Sequence, residues 1–452
     1  MRKANKWVGL TMAVVLAAGM LSGCGNSGKK ESAGQEEAKE SQTGESSDED
    51  KVITFWHIGT DEPDVSLYED AAEAFNENTD TGYKIESVAM EADAYKEKLL
   101  IAMSSGECPD IYTNWSGGPM NEYVEAGFAQ PLDELYEKAP WKDKILDATV
   151  AQGKYNDKLY GVGMINVSVS GIYYNKDIFA QYNLEVPKTV SELEKVCDTL
   201  VENGKIPFAL ANAPKWTGSM YFMNLATRKG GLEPFSAAVD GSGSFEDECF
   251  IYAGEKIQDW VKKGYFPEGV NSLSEGDGQS KQLFYSEEAA MKMIGSWESA
   301  TYKADSEEFY NKLGWFPFPA VDGSDADSSI QIGTMGDQFI SFNCEGEKLE
   351  AAFELLNYYF EEAYTERMVE AGKIPPVKGV DALIDGELEK EIITKVEEAS
   401  ATQLWYDQYL PPAVSTVHLD TCQELFGLTM TPEEAAKQFQ AAMEEYNSEQ
   451  SE

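Results

Sequence analysis

Histidine is nearly absent from this sequence, which contains only His57 and His418. A histidine-based catalytic triad or a histidine-rich metal site is therefore almost excluded. The chain also has no Gly-x-Ser-x-Gly turn, no Walker phosphate loop and no Gly-x-Gly-x-x-Gly motif. A pair of carboxylates that hydrolyses glycosides is not excluded by the sequence. With 80 acidic residues some pair can always be found, so its presence does not indicate a hydrolase. We expect no catalytic residue, no metal and no cofactor.

Cysteine is also scarce, and its spacing predicts no paired structure. Apart from Cys24 the cysteines are far apart, odd in number and never form Cys-x-x-Cys; they are Cys108, Cys197, Cys249, Cys344 and Cys422. A zinc ribbon, a redox pair and a disulfide framework are all unsupported by this spacing. We expect buried free thiols.

Basic residues are few relative to acidic ones. There are 36 Lys and Arg against 80 Asp and Glu, which gives a formal net charge of −44. Such a surface repels phosphate backbones and anionic lipid headgroups. We therefore expect no nucleic-acid partner, and no attachment to a membrane through protein charge. The acids are spread along the chain, so they do not by themselves indicate a cationic ligand.

The N-terminus carries an anchor signal of another kind. Three basic residues precede an apolar run over 7–20, which ends in Leu21-Ser-Gly-Cys24. This order is typical of a secretory signal that closes on a bacterial lipoprotein cleavage site. The run is shorter than the ~20 residues of a membrane-spanning helix. We predict a signal peptide over 1–23 and diacylation of Cys24. The protein would then be anchored by lipid at the extracellular face of a Gram-positive bacterial membrane.

Residues 24–50 separate this signal from the rest of the chain. After Cys24 the segment has no aromatic and no large aliphatic side chain. It cannot bury apolar surface, so we predict a disordered, solvated tether. From Lys51 onward the composition is globular, and about 400 residues suit two lobes better than one core.

Strand and helix patterns alternate in the globular part. Strands are predicted at 51–58, 83–88, 110–114, 171–175 and 289–294. Apolar residues at helical spacing follow the first two strands, over 67–75 and 95–103. Strands that alternate with helices predict an α/β protein with right-handed crossovers and a parallel sheet.

Tryptophan beside turns at strand ends is the main binding signal. Five tryptophans have this placement: Trp56, Trp115, Trp216, Trp297 and Trp405. In open parallel sheets, ligands bind beyond the carboxyl ends of the strands. Indole faces pack against the C–H faces of sugar rings, and polar groups bind the hydroxyls. We predict stacking residues among these five, with polar partners at His57, Asp61, Asn114 and Asp337, and we assign Trp260 to the core.

Short motifs in a fixed order extend over nearly everything after the tether. They include Ile53-Thr-Phe-Trp-His57, Tyr173-Tyr-Asn-Lys-Asp-Ile-Phe179, Gly295-Ser-Trp297, Ile374-Pro-Pro376 and Thr431-Pro-Glu-Glu-Ala435. This series resembles the family 1 extracellular solute-binding proteins, the sugar-capturing lipoproteins of ABC importers. The resemblance implies a two-lobed, periplasmic-binding-protein-like α/β fold. Each lobe would be a mainly parallel sheet flanked by helices, with the ligand cleft between the lobes.

The resemblance also implies a function and a chain path. The function is capture of a carbohydrate, an oligosaccharide, by a monomer that delivers it to ABC permease subunits in the membrane. Lobe 1 would combine 51–162 with 283–336, and lobe 2 would combine 163–282 with 337–452. Two alternatives stay open, a binding protein for a non-sugar solute and a surface glycoside hydrolase. An anionic solute would need basic residues near the tryptophans. Basic residues are scarce at these positions, and Lys215 is the exception.

Overall fold

Two β-sheets organise the chain in the computed structural model, which describes residues 51–450. The predicted signal peptide and the whole predicted tether, which begins at Cys24, lie outside the described residues. Over 51–450 no helix has both the length and the apolar content that a membrane span requires.

The strands are β1 Val52–His57, β2 Lys84–Ala89, β3 Ile111–Asn114, β4 Lys154–Tyr155, β5 Lys158–Leu159, β6 Val162–Met164, β7 Ser168–Asn175, β8 Ile206–Phe208, β9 Ala289–Gly295, β10 Leu313–Phe316, β11 Gln331–Thr334, β12 Gln338–Phe342 and β13 Thr402–Gln403.

The helices are α1 Asp64–Asn78, α2 Ala92–Ser105, α3 Gly118–Glu125, α4 Asp133–Lys138, α5 Asp147–Gln152, α6 Lys176–Gln181, α7 Val190–Glu202, α8 Trp216–Gly230, α9 Glu233–Asp240, α10 Glu248–Lys262, α11 Gln279–Tyr285, α12 Glu298–Asp305, α13 Glu307–Tyr310, α14 Gly346–Phe353, α15 Leu355–Tyr359, α16 Glu362–Glu370, α17 Glu387–Glu397, α18 Tyr406–Tyr409, α19 Pro412–Gly427 and α20 Pro432–Glu449.

Local sequence signals explain where several helices begin and end. The Glu91 side chain accepts hydrogen bonds from the first amides of α2, and Gly106 ends that helix in the left-handed region at φ 75°. The capping box predicted at Thr431 and Glu434 is present at the start of α20. These caps satisfy backbone groups that have no partner within the helix, so the helix limits follow from the sequence.

The first sheet has the strand order β2-β1-β3-β12-β6. Strand β1 runs parallel to β2 and β3, while β12 runs antiparallel to β3 and β6. Helices α1 and α15 pack together beside this sheet, and the Tyr364 hydroxyl of α16 donates to the Leu67 carbonyl of α1. We refer to this sheet and its helices as lobe 1.

The second sheet has the order β13-β11-β7-β9-β8, with β10 also paired to β7. Strand β7 is antiparallel to β9, β10 and β11, whereas β8 runs parallel to β9. Helices α8, α10, α19 and α20 pack against one another in the same body. We refer to this sheet and its helices as lobe 2.

The two-lobed α/β fold is confirmed, but two details of the prediction differ from the structure. Both sheets are mixed rather than mainly parallel, because β12 in lobe 1 and β7 in lobe 2 run against their neighbours. The predicted lobe limits also differ: 289–334 contributes β9, β10 and β11 to lobe 2, and 338–342 contributes β12 to lobe 1. Every residue of β9 is buried, so this strand needs neighbours on both edges, and it finds them in β7 and β8.

Three crossing segments join the lobes and meet at Asn166. The first crossing connects β6 to β7, the second connects β11 to β12, and the third lies between α16 and α17. The Asn166 carbonyl accepts from the Asp337 amide at 2.7 Å, and its Oδ1 accepts from the Ile374 amide at 2.6 Å. Asn166 is fully buried, and its backbone carbonyl and its side chain together tie all three crossings.

Candidate ligand-binding cleft

A cavity of about 250 Å³ lies where the two lobes face each other. Both lobes supply lining residues: Thr60, Asp61, Asp93, Lys96 and Trp115 come from lobe 1, and Trp216, Glu275, Trp297, Glu298 and Trp405 come from lobe 2. Asp337 and Gln338 line it from the end of the second crossing. The cavity therefore lies next to the crossing segments, where relative movement of the lobes would change its width.

Three tryptophans form a continuous aromatic wall on lobe 2. Trp297 lies in the middle, with ring centroids 6.2 Å from Trp216 and 6.0 Å from Trp405. The planes are tilted by 56° and 66°, an arrangement that aromatic pairs favour. Gly295 makes the central position possible, because a methyl group there would overlap the Trp297 ring. The wall thus combines the start of α8 with the ends of β9 and β13.

A fourth tryptophan lies on lobe 1. Trp115 follows β3, packs edge-on against Tyr95 at 6.3 Å, and lies 4.7 Å from the Lys96 Nζ atom. Its ring is partly exposed in the cavity lining. Each lobe therefore offers an indole to a ligand held between them.

Carboxylates are the most common polar groups in the cavity. Within residues 51–450, the lining contains Asp61, Glu62, Asp64, Glu91, Asp93, Glu275, Glu298, Asp337 and Asp407, but only Lys96 and Lys281 as basic residues. Two buried lysines lie behind the lining, Lys292 beside Glu275 and Glu298 and Lys373 beside Asp64. Charged carboxylates accept hydrogen bonds strongly, so this lining suits a ligand with many donors.

Burial shifts the pKa of several of these acids. Burial raises the pKa of Asp337 to about 6, although the Lys373 ammonium opposes the shift. Burial also raises the pKa of Asp93 and Asp407, and Lys96 opposes both shifts. The pKa is raised in all three acids, because removal from water disfavours the charged carboxylate. Asp337 can therefore donate as well as accept hydrogen bonds at mildly acidic pH.

The structure brings six of the nine predicted site residues to the cavity: Asp61, Trp115, Trp216, Trp297, Asp337 and Trp405. The other three do not line it. Trp56 packs beside the small apolar cluster of Met90, Tyr95, Leu99, Met103 and Tyr112.

His57 and Asn114 have structural partners instead of an opening. His57 is fully buried, stacks on Tyr68 at 4.3 Å, and accepts from the Gly59 amide through Nδ1. Burial lowers its pKa to about 4, so the ring is neutral at physiological pH. Asn114 is also fully buried and donates to the Ser341 hydroxyl at 2.8 Å. Both residues lie at strand ends as expected, but their side chains point into the protein, so their prediction as cavity residues is wrong.

Several lining residues were not predicted. Asp93 and Lys96 lie near the start of α2, just after β2 ends. The expectation that ligands bind beyond strand ends could therefore have identified them. Glu298 directly follows the predicted Trp297. Glu275 belongs to a loop without a periodic pattern, and only the fold brings it to Lys292, at 2.7 Å.

Comparison with known proteins identifies the family. The family described as bacterial extracellular solute-binding protein matches residues 59–366. The chain belongs to this family. The predicted resemblance is thereby confirmed, and the family consists of solute-binding proteins rather than enzymes.

Individual relatives and a solved structure are similar to this chain. A multiple sugar-binding protein of Streptococcus mutans is 26% identical over 419 residues, 90% of each chain. An uncharacterized ABC transporter extracellular-binding protein of Pyrococcus horikoshii is 27% identical over 229 residues, only 50% of each chain. A solved structure described for xylan utilization by the thermophilic bacterium Caldanaerobius polysaccharolyticus has a TM-score of 0.79 at 30% identity. That comparison covers 86% of this chain and 99% of the other.

Proposed function

We propose that this solute-binding protein captures a carbohydrate, an oligosaccharide, for an ABC importer. The observation that carries the proposal is the placement of four indoles on facing walls of one cavity rich in carboxylates. Indoles can cover the apolar faces of sugar rings, while carboxylates accept hydrogen bonds from the hydroxyls. The sugar-binding names of the relatives support the same ligand class.

We further propose that the lobes close on the sugar without catalysis. Closure around a bound solute would give membrane permease subunits two states to distinguish. The crossings tied at Asn166 supply a connection at the base of the cleft about which the lobes can rotate. The protein would act as a monomer and release the sugar unchanged to the permease.

A thermal-shift screen tests the ligand class. We expect xylo-, malto- or chito-oligosaccharides to raise the melting temperature. A ligand at 100 times its Kd adds about 2.7 kcal/mol to the free energy of unfolding. Uronic acids should give no shift, since their carboxylates would meet the nine carboxylates of the lining. The same panel applied to the Trp297→Ala variant is the control for binding in this cleft. A protein that no sugar stabilises would contradict the proposal.

A cationic solute is the second candidate, and the acidic lining is the observation that favours it. Aromatic rings beside carboxylates also attract ammonium groups. Spermidine and choline therefore belong in the screen, and stabilisation by either without any sugar would favour this candidate. Product analysis after incubation with the same oligosaccharides tests the remaining alternative, because a hydrolase would shorten them.

We propose that Cys24 is the membrane attachment site, followed by a solvated tether over residues 25–50. Each CH₂ of an acyl chain buried in the membrane contributes ~0.8 kcal/mol to membrane binding. The binding free energy of two such chains would exceed that of any attraction between a lipid surface and this acidic protein. Cys24→Ala is expected to move the protein from the membrane fraction to the medium, or to leave it unprocessed. Cell fractionation measures this, with Cys108→Ala as the matched control. Unchanged membrane association of the Cys24 variant would contradict lipidation.

A further inference from the structure

One inter-lobe contact consists of backbone against backbone. Gly117 and Gly118 lie at the start of α3, and they face the carbonyl groups of Gln408 and Leu410. A methyl group at Gly118 would lie 2.8 Å from the Leu410 carbonyl carbon and still closer to its oxygen. At Gly117 it would lie 3.1 Å from the Gln408 carbonyl carbon, again with the oxygen nearer. There is no room for a side chain at this contact.

The two sides of this contact belong to different lobes. Gly117 follows β3 of lobe 1, whereas Leu410 follows β13 and α18 of lobe 2. Cleft residues adjoin it on both sides, with Trp115 two positions before Gly117 and Gln408 within the lining itself. The contact therefore joins the two lobes directly beside the cleft.

Two other contacts across the cleft involve flexible side chains. A methyl group at Gly276 would lie 2.8 Å from Glu91 Oε1, the tip of a side chain that can move away. Lys281 approaches Asp61 at 3.7 Å, with the Asp61 side chain 74% exposed. A backbone carbonyl cannot rotate aside in this way, so the Gly117-Gly118 contact limits how far the cleft closes.

We propose that Gly117-Gly118 is a closure seam, a pair of residues that must lack side chains for the lobes to meet. The seam controls the balance between open and closed forms and does not touch the ligand. This inference rests on the proposal that the lobes open and close, but it is independent of which solute binds.

The variant that tests the seam is Gly118→Ala. Gly118 is helical and lies outside the left-handed region, so alanine itself fits the backbone. Pro119 introduces a second possible effect, because a residue before proline is disfavoured in the helical region when it has a side chain. The double variant Gly118→Ala/Pro119→Ala removes that effect and keeps the methyl group in the seam. Ala126→Val, at the exposed end of the same helix, is the control.

A disulfide across the cleft measures closure without any ligand. The parent for this assay carries Glu91→Cys and Gly276→Cys, whose positions approach within 3.5 Å between Glu91 Cγ and the β-carbon site at 276. A sulfur at that γ position is near enough to bridge to residue 276. The single-cysteine variants give the background from the native thiols.

We expect the parent to form the disulfide under mild oxidation. Gly118→Ala should slow this roughly 5- to 150-fold, the range that corresponds to forcing a methyl group into a close-packed contact. The double variant should be equally slow, and Ala126→Val should react at the parent rate. The melting temperature of reduced Gly118→Ala should match that of the reduced parent, because the open form has free space at the seam.

Three results would overturn the seam. In the first, Gly118→Ala forms the disulfide as fast as the parent protein. In the second, the double variant recovers the parent rate of disulfide formation. In the third, the parent protein itself forms no disulfide. A lowered melting temperature in both Gly118 variants would show that the glycine supports the fold of lobe 1 instead, and would also count against the seam. Failure of every solute in the thermal-shift screen would remove the proposed function but leave the oxidation rates unchanged, so the two failures are distinguishable.

Discussion

Trp297→Ala is expected to weaken carbohydrate binding more than any other single replacement in the cleft. Trp297 contacts both other indoles of the lobe 2 wall, so its removal loosens Trp216 and Trp405 as well. Truncation of a buried aromatic anchor typically costs ~2–4 kcal/mol, or roughly 30- to 1,000-fold in Kd. Isothermal titration calorimetry with the most stabilising sugar of the screen measures the change.

Two other tryptophans provide controls of different kinds. Trp56 has similar partial exposure but packs outside the cavity, so Trp56→Ala should change the Kd by less than about threefold, within the range of near-neutral contacts. Trp260 is fully buried in lobe 2, and Trp260→Ala should mainly lower the melting temperature. If Trp297→Ala also stayed within threefold, the aromatic wall would have no part in binding.

The early strands and helices could be predicted because their signals are local. The structure has β1, α1, β2, α2 and β3 within a few residues of the predicted limits, since apolar spacing and caps fix these elements. The lobe limits could not be predicted in the same way. Strand β9 has a clear strand pattern, but which sheet it joins depends on pairing with β7, more than 100 residues earlier.

The candidate site was also predictable only where its signals are local in the sequence. Placement at strand ends pointed to four tryptophans that line the cavity, and their role in binding stays a prediction, but this placement gave no direction for the side chains of β1. In that strand, burial alternates, so Trp56 and His57 point to opposite faces and neither reaches the cavity. The acidic lining was hidden for another reason. The chain has 80 acidic residues, and only the fold shows that nine of them converge on one cavity.

Lys292→Met should strongly destabilise the protein. Lys292 lies in β9 with its side chain 1% exposed, and its Nζ atom is 2.7 Å from Glu275 and 3.3 Å from Glu298. Burial lowers the pKa of this ammonium, but the two carboxylates outweigh burial, and the pKa is raised overall. Methionine fills similar space without charge, so both carboxylates would lose this cation while 11% exposed. Removing one partner of a buried ion pair typically costs about 3–5 kcal/mol.

Urea unfolding at several pH values separates this charge effect from a packing defect. A lysine whose pKa is raised by folding stabilises at all pH values below its unfolded pKa, and the gain is lost as pH rises through the folded pKa. Between pH 6 and 9 the loss should be constant, and it should shrink at more alkaline pH as the pH rises through the raised pKa of Lys292 in the folded protein. Lys263→Met is the matched control, because Lys263 is 37% exposed and pairs with Asp259 on the surface of α10. It should cost less than about 1 kcal/mol. A Lys292→Met penalty that equals this control, or that stays unchanged as the pH rises through the lysine pKa, would show that Glu275 and Glu298 do not depend on the buried lysine.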